Sequence, residues 1–527
     1  MPSQVKPRET DQRIKLSELE KWFLAIAVGM AVLRFVLSSK LGLGDDEAYY
    51  WDWSRRLQLS YYDHPGMTAW LIKLGTLLFG QNSFAVRFFG LIANTVSGVL
   101  LWFLGVRLFN RTVALIGVFF YLFAPIYSMG GMLMVPDAPM GVAWLALLLI
   151  TWRLLGERGG DDRWALWLLA GAVLGLGLLS KYTIVLLAFS IVLFMVSEAD
   201  LRKKLLGSRF WCTVLVTVVL CLPIIIWNSE LGWPTVKYHL HDRQTGGGGA
   251  NFNRWGQFWA SQTLILSPAL FAACLAVWGV ALKRFRERKW RFIFLTSFPT
   301  FAIFCTQALF AEFKPHWPAP AYSLLFLGVA ALLENGFGIH SAKLRRFAVS
   351  SFVFLVLIIF VPMNLLFYIG SVVPLIPKLA RIVMPHLQPQ FEWDPKFDPT
   401  NDLYGWDEAA KRIHTIQDDF RQRGESAPFV SSSRYQLTAQ LAFALQERVW
   451  RVSPDKDQYG FWQTVESQKP LLGKNAIYVT DNRFERNPNS DYIFKNCDEQ
   501  DSVFVYRGTE PARRFHIWLC RDFLGTR

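Results

Sequence analysis

The chain is 527 residues long, 52% hydrophobic and 15% aromatic, and carries a net charge of +14. A soluble chain of this length would divide into several domains with polar surfaces, whereas here apolar runs recur that suit ~30 Å of hydrocarbon, about 20 helical residues each. The positive charges sit in short loops between those runs, a membrane-orientation pattern, so no nucleic-acid partner is expected.

A charged leader precedes the first apolar run, Trp22–Leu43. It lacks a small-residue cleavage site and is read as leading into an uncleaved first span. The length criterion predicts about eleven spans, near 22–43, 84–108, 112–129, 136–155, 163–180, 182–197, 209–228, 257–282, 292–311, 317–334 and 347–369. Basic residues mark alternate loops: Arg107 and Arg111; Arg153, Arg158 and Arg163; Arg202, Lys203, Lys204 and Arg209; the run from Lys283 to Arg291; and Lys343, Arg345 and Arg346. These loops share the side of the N-terminus, which is therefore expected to be cytoplasmic. The other face then carries Gly44–Ser83, Asp137, Lys181, the loop Asn228–Trp255 and Glu312–Trp317, and an odd count places the C-terminal region there too.

The first outer loop holds the densest chemistry. From Gly44 to Met67 it reads GDDEAYYWDWSRRLQLSYYDHPGM, with Asp45, Asp46, Glu47, Asp52 and Asp63 set among Tyr49, Tyr50, Trp51, Trp53, Tyr61 and Tyr62. Aromatic rings with polar tips favour headgroup depth. Five acids crowded against apolar rings repel one another unless a cation or a reaction needs them; the plain alternative is a solvated loop with an interfacial belt. Two short interfacial helices are expected, near Glu47–Leu57 and Gly66–Phe79. The loop Asn228–Trp255 contains His239, His241, Asp242, Arg243 and four successive glycines, Gly246–Gly249. It reads equally as a lid that orders over substrate and as a plain flexible loop.

After the last span the composition changes. Residues 371–400 are proline-rich and read as a linker between a membrane domain, 1–370, and a small α/β domain, 401–527. In the latter, Trp406–Arg423 and Tyr435–Leu445 are expected as helices, and Pro428–Val430, Ala476–Thr480, Ser502–Arg507 and Phe515–Cys520 as strands. Cys497 and Cys520 lie in this domain, where a disulfide and two buried thiols are both open. The other four cysteines fall within spans as small apolar residues. The expected fold class is an all-α polytopic membrane protein with a small C-terminal α/β domain outside the cytoplasm.

Polar residues converge on the outer face. Asp46 and Asp137 are candidates for taking a proton from an acceptor hydroxyl or amine. Lys181, Arg243 and Lys314 are candidates for holding phosphate charge. Asp63, His64 and a nearby tyrosine are candidate ligands of a divalent cation, without a closely spaced His/Cys motif in support. Glu47, Tyr49, Tyr50, Tyr61, Tyr62 and His316 complete the expected substrate cavity.

These residues carry a resemblance. Asp46-Glu47 followed by aromatics and Tyr61-Tyr62-Asp63-His64-Pro65 resembles the membrane glycosyltransferases of families 39 and 83, which have the GT-C fold. Pro136-Asp137-Ala138-Pro139, Leu179-Ser180-Lys181-Tyr182, His316-Trp317-Pro318-Ala319-Pro320 and Asp402-Leu403-Tyr404-Gly405-Trp406 resemble bacterial members as well. That group includes protein O-mannosyltransferases, aminoarabinose transferases of lipid A and galacturonosyltransferases of lipopolysaccharide. The resemblance implies transfer of a sugar from a polyprenyl-phosphate donor to a lipid, glycan or protein at the outer face of the bacterial inner membrane. It matches Asp46 and Asp137 to the family's two loop aspartates and Lys181 to a lysine near the donor phosphate. Tyr50, Tyr61 and Asp63 fall where relatives have residues near a metal or in the cavity. The aminoarabinose transferases have Lys-Pro where this chain has His64-Pro65, and arginine where it has Tyr49; His64 is therefore expected on the donor phosphate or a cation. The rival reading is a lipid or glycan flippase without chemistry, which should show broken helices at midplane and paired repeats, whereas the polar residues here concentrate at one face.

Overall fold

The structure, a computed structural model, describes residues 17–156, 161–239, 249–388, 390–453, 457–466 and 468–525. The first span is the helix Glu18–Lys40. It begins ahead of the apolar run because Ser17 caps it: Ser17 Oγ accepts from the Glu20 N–H at 3.2 Å, and the Glu20 carboxylate accepts from the Ser17 N–H at 2.7 Å.

Among the described residues, five helices are long and apolar enough to cross a membrane singly: Glu18–Lys40, Ser83–Leu108, Asp137–Leu155, Arg288–Phe310 and Ala342–Tyr368. Two expected spans are broken. Ser208–Leu220 and Leu222–Glu230 meet at 47° beside Pro223, and Phe252–Leu266 and Pro268–Lys283 meet at 107°. The second corner corrects the continuous span expected over 257–282: Ser267 stands at φ 78° and caps the new helix, whose first residue, Pro268, has no N–H to continue the old one. The other expected spans are filled by shorter apolar helices, Arg111–Phe123, Trp164–Ser180, Val185–Val196 and Ala319–Glu334. Pro125 likewise ends Arg111–Phe123 and starts the short helix Pro125–Gly130.

The basic loops gather at one end of this bundle. Asn110 Nδ2 donates to Glu334 at 2.9 Å. Arg288 donates to the Gly156 carbonyl at 2.8 Å and pairs with Glu198 and Asp200. Lys204 and Arg209 both pair with Asp162. Asp137 and Lys181 lie at the opposite ends of their helices, and Asp46 opens the helix Asp45–Ser54, which packs on the C-terminal domain.

That domain holds a five-stranded sheet in the order β2-β1-β3-β5-β4. The strands are β1 (Phe429–Ser432), β2 (Val449–Arg451), β3 (Ala476–Asp481), β4 (Phe494–Arg507) and β5 (Glu510–Phe523). β1 runs parallel to β2 and β3; β3 with β5 and β4 with β5 are antiparallel. The helices Trp406–Gln422 and Tyr435–Leu445 form as expected, while β2 and the helix Gln458–Val465 were not foreseen. Cys497 and Cys520 stand opposite each other on β4 and β5 and form a disulfide. The proline-rich stretch is not featureless: it contains the helix Leu375–Leu387.

Two hydrophobic cores are the largest among the described residues. One lies inside the helix bundle. The other joins Leu43, Ala48, Trp51 and Trp53, which follow the first span, to Trp406, Ile413, Leu437 and Leu441 of the C-terminal domain. Trp51 and Trp53 are 1% and 0% exposed. The aromatics expected as a headgroup belt are therefore packed inside protein, between bundle and sheet.

The Asp402–Trp406 motif is part of this seam. A Cβ on Gly42 would come within 2.2 Å of the Leu403 carbonyl oxygen, so the backbones can touch only at glycine. Gly405 adopts φ 91°, and a Cβ there would meet Val505 at 2.7 Å. Trp406 Nε1 donates back to the Asp402 carbonyl at 2.8 Å.

Candidate active site

The site is built on the helix Asp45–Ser54. Its three leading acids suit the partial positive charge of a helix N-terminus. Gly44 lies just outside, and its N–H donates to Glu47 Oε2 at 2.9 Å. Glu47, expected in the substrate cavity, is instead the bolt of this helix. Arg87 donates through Nε to both of its carboxylate oxygens at 2.9 and 3.1 Å and through Nη2 to Oε2 at 2.6 Å. The Met134 N–H adds a bond to Oε1 at 3.1 Å. Arg87 also donates to the Leu41 and Gly42 carbonyls at 2.9 and 2.6 Å. The two side chains are 0% and 1% exposed. With its oxygens spent on protein donors, Glu47 fixes the loop rather than substrate.

Asp46 is held differently. Its Oδ1 accepts from the Tyr435 hydroxyl, at the start of the helix Tyr435–Leu445, at 3.0 Å. Asp46 is exposed, yet protein crowds around its carboxyl group. Removal from bulk water pushes its pKa up, against the Tyr435 hydrogen bond and the charges of Lys314 and Lys181. Asp45, beside it, faces the C-terminal domain: Gln440 Nε2 donates to its Oδ1 at 3.2 Å and Arg483 Nη1 to its Oδ2 at 3.1 Å. Desolvation, aided by Asp402, pushes the Asp45 carboxyl up to about 6.

Asp137 forms an ion pair. Lys181 Nζ donates to both of its carboxylate oxygens, at 2.8 and 2.7 Å, and the Lys181 side chain is 7% exposed. Ser180 Oγ donates to the Pro136 carbonyl at 2.9 Å, fastening the two helix ends that carry the pair. His316 and His64 lie within electrostatic reach of Asp137. Lys314 is exposed and acts on Asp46.

Tyr50 ties the cluster together, since its hydroxyl feels the charges of Asp46, Asp63 and Asp137. Burial and those charges push its pKa far above the ordinary phenol value, so it stays a protonated donor. The Tyr49 hydroxyl accepts from the Gln458 N–H at 2.7 Å and donates to Asp63 Oδ2 at 2.7 Å. His239 Nε2 meets the Asp63 carbonyl at 3.0 Å. The Tyr61 ring stacks on Trp53 at 4.5 Å, and its hydroxyl sits against the Trp53 and Arg56 carbonyls, a packing role. The Tyr62 N–H donates to Gln458 Oε1 at 2.6 Å, and its ring stacks on Phe461. His241, Asp242, Arg243 and the first three glycines of the run lie outside the described residues.

The structure thus brings together Asp46, Asp63, Asp137, Tyr50, His64, Lys181, Lys314 and His316, from four separate stretches of sequence. Among the described residues, no group of three or more His, Cys, Asp or Glu side chains is arranged to hold a metal ion. A cation on Asp63 and His64 would complete its coordination with substrate phosphate and water. Sequence reading missed Arg87, Tyr435, Gln440 and Arg483. A lone arginine near the start of an apolar span, after a loop full of acids, was a usable signal for Arg87. Tyr435 stands 389 positions from Asp46, and no local pattern links them.

Residues 63–227 match the family model described as dolichyl-phosphate-mannose-protein mannosyltransferase. The lipid A galacturonosyltransferase RgtD of Rhizobium johnstonii is 26% identical over 312 residues, covering 57% of this chain and 63% of that one. An undecaprenyl phosphate-alpha-4-amino-4-deoxy-L-arabinose arabinosyl transferase of Pseudomonas aeruginosa is 28% identical over 258 residues, covering 48% of this chain and 44% of that one. The chain therefore spans less than two thirds of the length of these curated relatives. The structure of ArnT from Cupriavidus metallidurans bound to undecaprenyl phosphate superposes with a TM-score of 0.62 at 16% identity, covering 94% of this chain and 97% of that one. The chain has this ArnT-like GT-C fold, a helical membrane domain with a small C-terminal sheet domain.

Proposed function

We propose that this chain is a GT-C glycosyltransferase that moves one sugar from a polyprenyl-phosphate carrier to lipid A or a related acceptor. The reaction takes place at the outer face of the bacterial inner membrane, with the N-terminus cytoplasmic. The similarity to two lipid A sugar transferases and the fold shared with an undecaprenyl phosphate-bound protein support the class. The observation that carries the mechanism is the unequal holding of two acids in one cluster. Asp137 is neutralised by an ammonium on both oxygens, whereas Asp46 has a neutral hydroxyl partner and an open face.

A proton acceptor works best with a pKa near the working pH. Desolvation raises the Asp46 pKa in that direction, and in this reading Asp46 takes the proton of the acceptor hydroxyl or amine. The freed oxygen or nitrogen attacks the anomeric carbon from the face opposite the phosphate. The bond from that carbon to the phosphate oxygen breaks, its electron pair leaves with the polyprenyl phosphate, and the configuration inverts. Lys314, His64 and Lys181 stand on the same face to receive the growing phosphate charge, with Asp137 fixing Lys181. A flippase needs no base of this kind and leaves the sugar on its carrier.

Mass spectrometry of lipid A, other envelope glycans and surface protein, from cells with and without the gene, tests this reading. One of them should gain the mass of a single sugar only when the gene is present. Unchanged masses in all three, with the sugar-loaded carrier moved across the membrane, would replace the transferase with the flippase.

A further inference from the structure

The outer loop does not complete its own site. The helix Tyr435–Leu445 of the C-terminal domain lies along the helix Asp45–Ser54 and is anchored at several points. Gln440 Nε2 donates to the Leu43 carbonyl at 2.7 Å and to Asp45 Oδ1 at 3.2 Å. Phe443 packs edge-on against Trp51 with ring centroids 4.9 Å apart, and the Tyr435 ring meets Tyr49 at 4.9 Å. Arg483, which follows β3, pairs with both Asp45 and Asp402. Arg513 on β5 pairs with Asp402 and Asp481. These contacts leave the Tyr435 hydroxyl little freedom, and it ends 3.0 Å from Asp46 Oδ1.

We propose that Tyr435 is a positioning residue for the proton acceptor, so that the C-terminal sheet domain is a working part of the active site. The inference rests on the assignment of Asp46 as base. A carboxylate on one flexible bond can rotate; a donor fixed on Oδ1 restrains that rotation and leaves Oδ2 to the acceptor. The same bond favours the ionised form, because a phenol's hydrogen bond to a carboxylate is charge-assisted and stronger than the one it gives a neutral carboxylic acid. It therefore works against the desolvation that would otherwise keep Asp46 protonated. Among the described residues, Glu47 on its own helix, Tyr50 one turn on, Lys181 at the end of Trp164–Ser180 and Lys314 before Ala319–Glu334 also act on or with Asp46, and Asp45 and Asp63 act on the Tyr435 hydroxyl. Lys181 and Lys314 favour the ionised form and Glu47 opposes it, and none of the three is altered by a change at Tyr435.

The test is the pH dependence of kcat/KM for sugar transfer by the full-length protein in detergent or nanodiscs, with an undecaprenyl-phosphate sugar as donor. Tyr435→Phe removes the hydroxyl and keeps the ring against Tyr49. Loss of a charge-assisted hydrogen bond should move the acid limb up by about one pH unit, so that activity falls about tenfold below the limb and recovers above it. Phe443→Ala loosens the same docking helix without touching the hydroxyl. It should lower thermal stability and leave the limb where it is. An unmoved limb in Tyr435→Phe, or an equal shift in Phe443→Ala, would overturn the proposal. Asp46→Asn, measured alongside, separates the two readings. If it transfers sugar normally, the base assignment fails; if it is inactive while the Tyr435→Phe limb stays put, only the role of Tyr435 fails.

Discussion

Arg87→Met should cost far more than its place at the edge of an apolar span implies. The methionine fills similar volume in a helix that tolerates it, so the loss is electrostatic. It removes three bonds to Glu47 and the donors to the Leu41 and Gly42 carbonyls, at a site where both side chains are buried. Stranding one charge of such a pair costs about 3–5 kcal/mol. Glu47→Met strands Arg87 in turn, along with the Gly44 and Met134 N–H groups, and should cost a comparable amount. The double variant leaves no unpaired charge, so its loss should fall short of the sum by at least ~2 kcal/mol. Reversible unfolding in mixed detergent–SDS micelles, read by tryptophan fluorescence, gives the four free energies of the cycle. Additive losses, or an Arg87→Met cost under about 1 kcal/mol, would refute the view that this pair bolts the loop to the bundle.

Asp45 gives a pH signature with a definite sign. A carboxyl whose pKa is about 6 in the folded protein binds its proton more tightly there than in the unfolded chain. Ionising it therefore costs the folded state, and wild type should lose stability relative to Asp45→Asn as pH rises from about 4 through 6, in melts taken across that range; a flat difference would contradict it. Gly405→Ala should cost at least about 1–2 kcal/mol, because an alanine is strained at φ 91° and its Cβ meets Val505; an unchanged melting temperature would count against the seam. Replacing both Cys497 and Cys520 by serine should lower the stability of the C-terminal domain by about 3 kcal/mol for a loop of this length, and non-reducing peptide maps of wild type should contain the linked pair. Single cysteines near Arg286 should be shielded from an impermeant thiol reagent in intact cells and those near Glu312 should react; the reverse pattern would invert the orientation.

The parts of the fold that were legible in sequence are those set by local periodicity. Apolar runs marked the spans, and the helix Tyr435–Leu445 could be placed to the residue because its apolar positions recur at helical spacing. The corner at Ser267 was not legible, since an apolar run looks the same whether it continues straight or turns at a proline. β2, three residues long, offers too few positions for alternation to register. Within the site, Asp46, Asp137 and Lys181 stood out because ionisable residues are rare beside apolar spans. The division of labour among the acids was hidden. Glu47 and Asp46 are neighbours of similar chemistry, and only the arrival of Arg87 on one and Tyr435 on the other tells the bolt from the proposed base.

Single-turnover transfer from a labelled undecaprenyl-phosphate sugar, with Asp46→Asn and Asp137→Asn at matched amounts in membranes, tests the central claim most directly. Asp46→Asn keeps shape and polarity but cannot take a proton. It should bind the donor as wild type does and transfer about 10²–10⁴-fold more slowly. Asp137→Asn should instead release Lys181 and disturb donor binding. Near wild-type transfer by Asp46→Asn, with the chemical step lost in Asp137→Asn, would move the base to Asp137 and contradict the account.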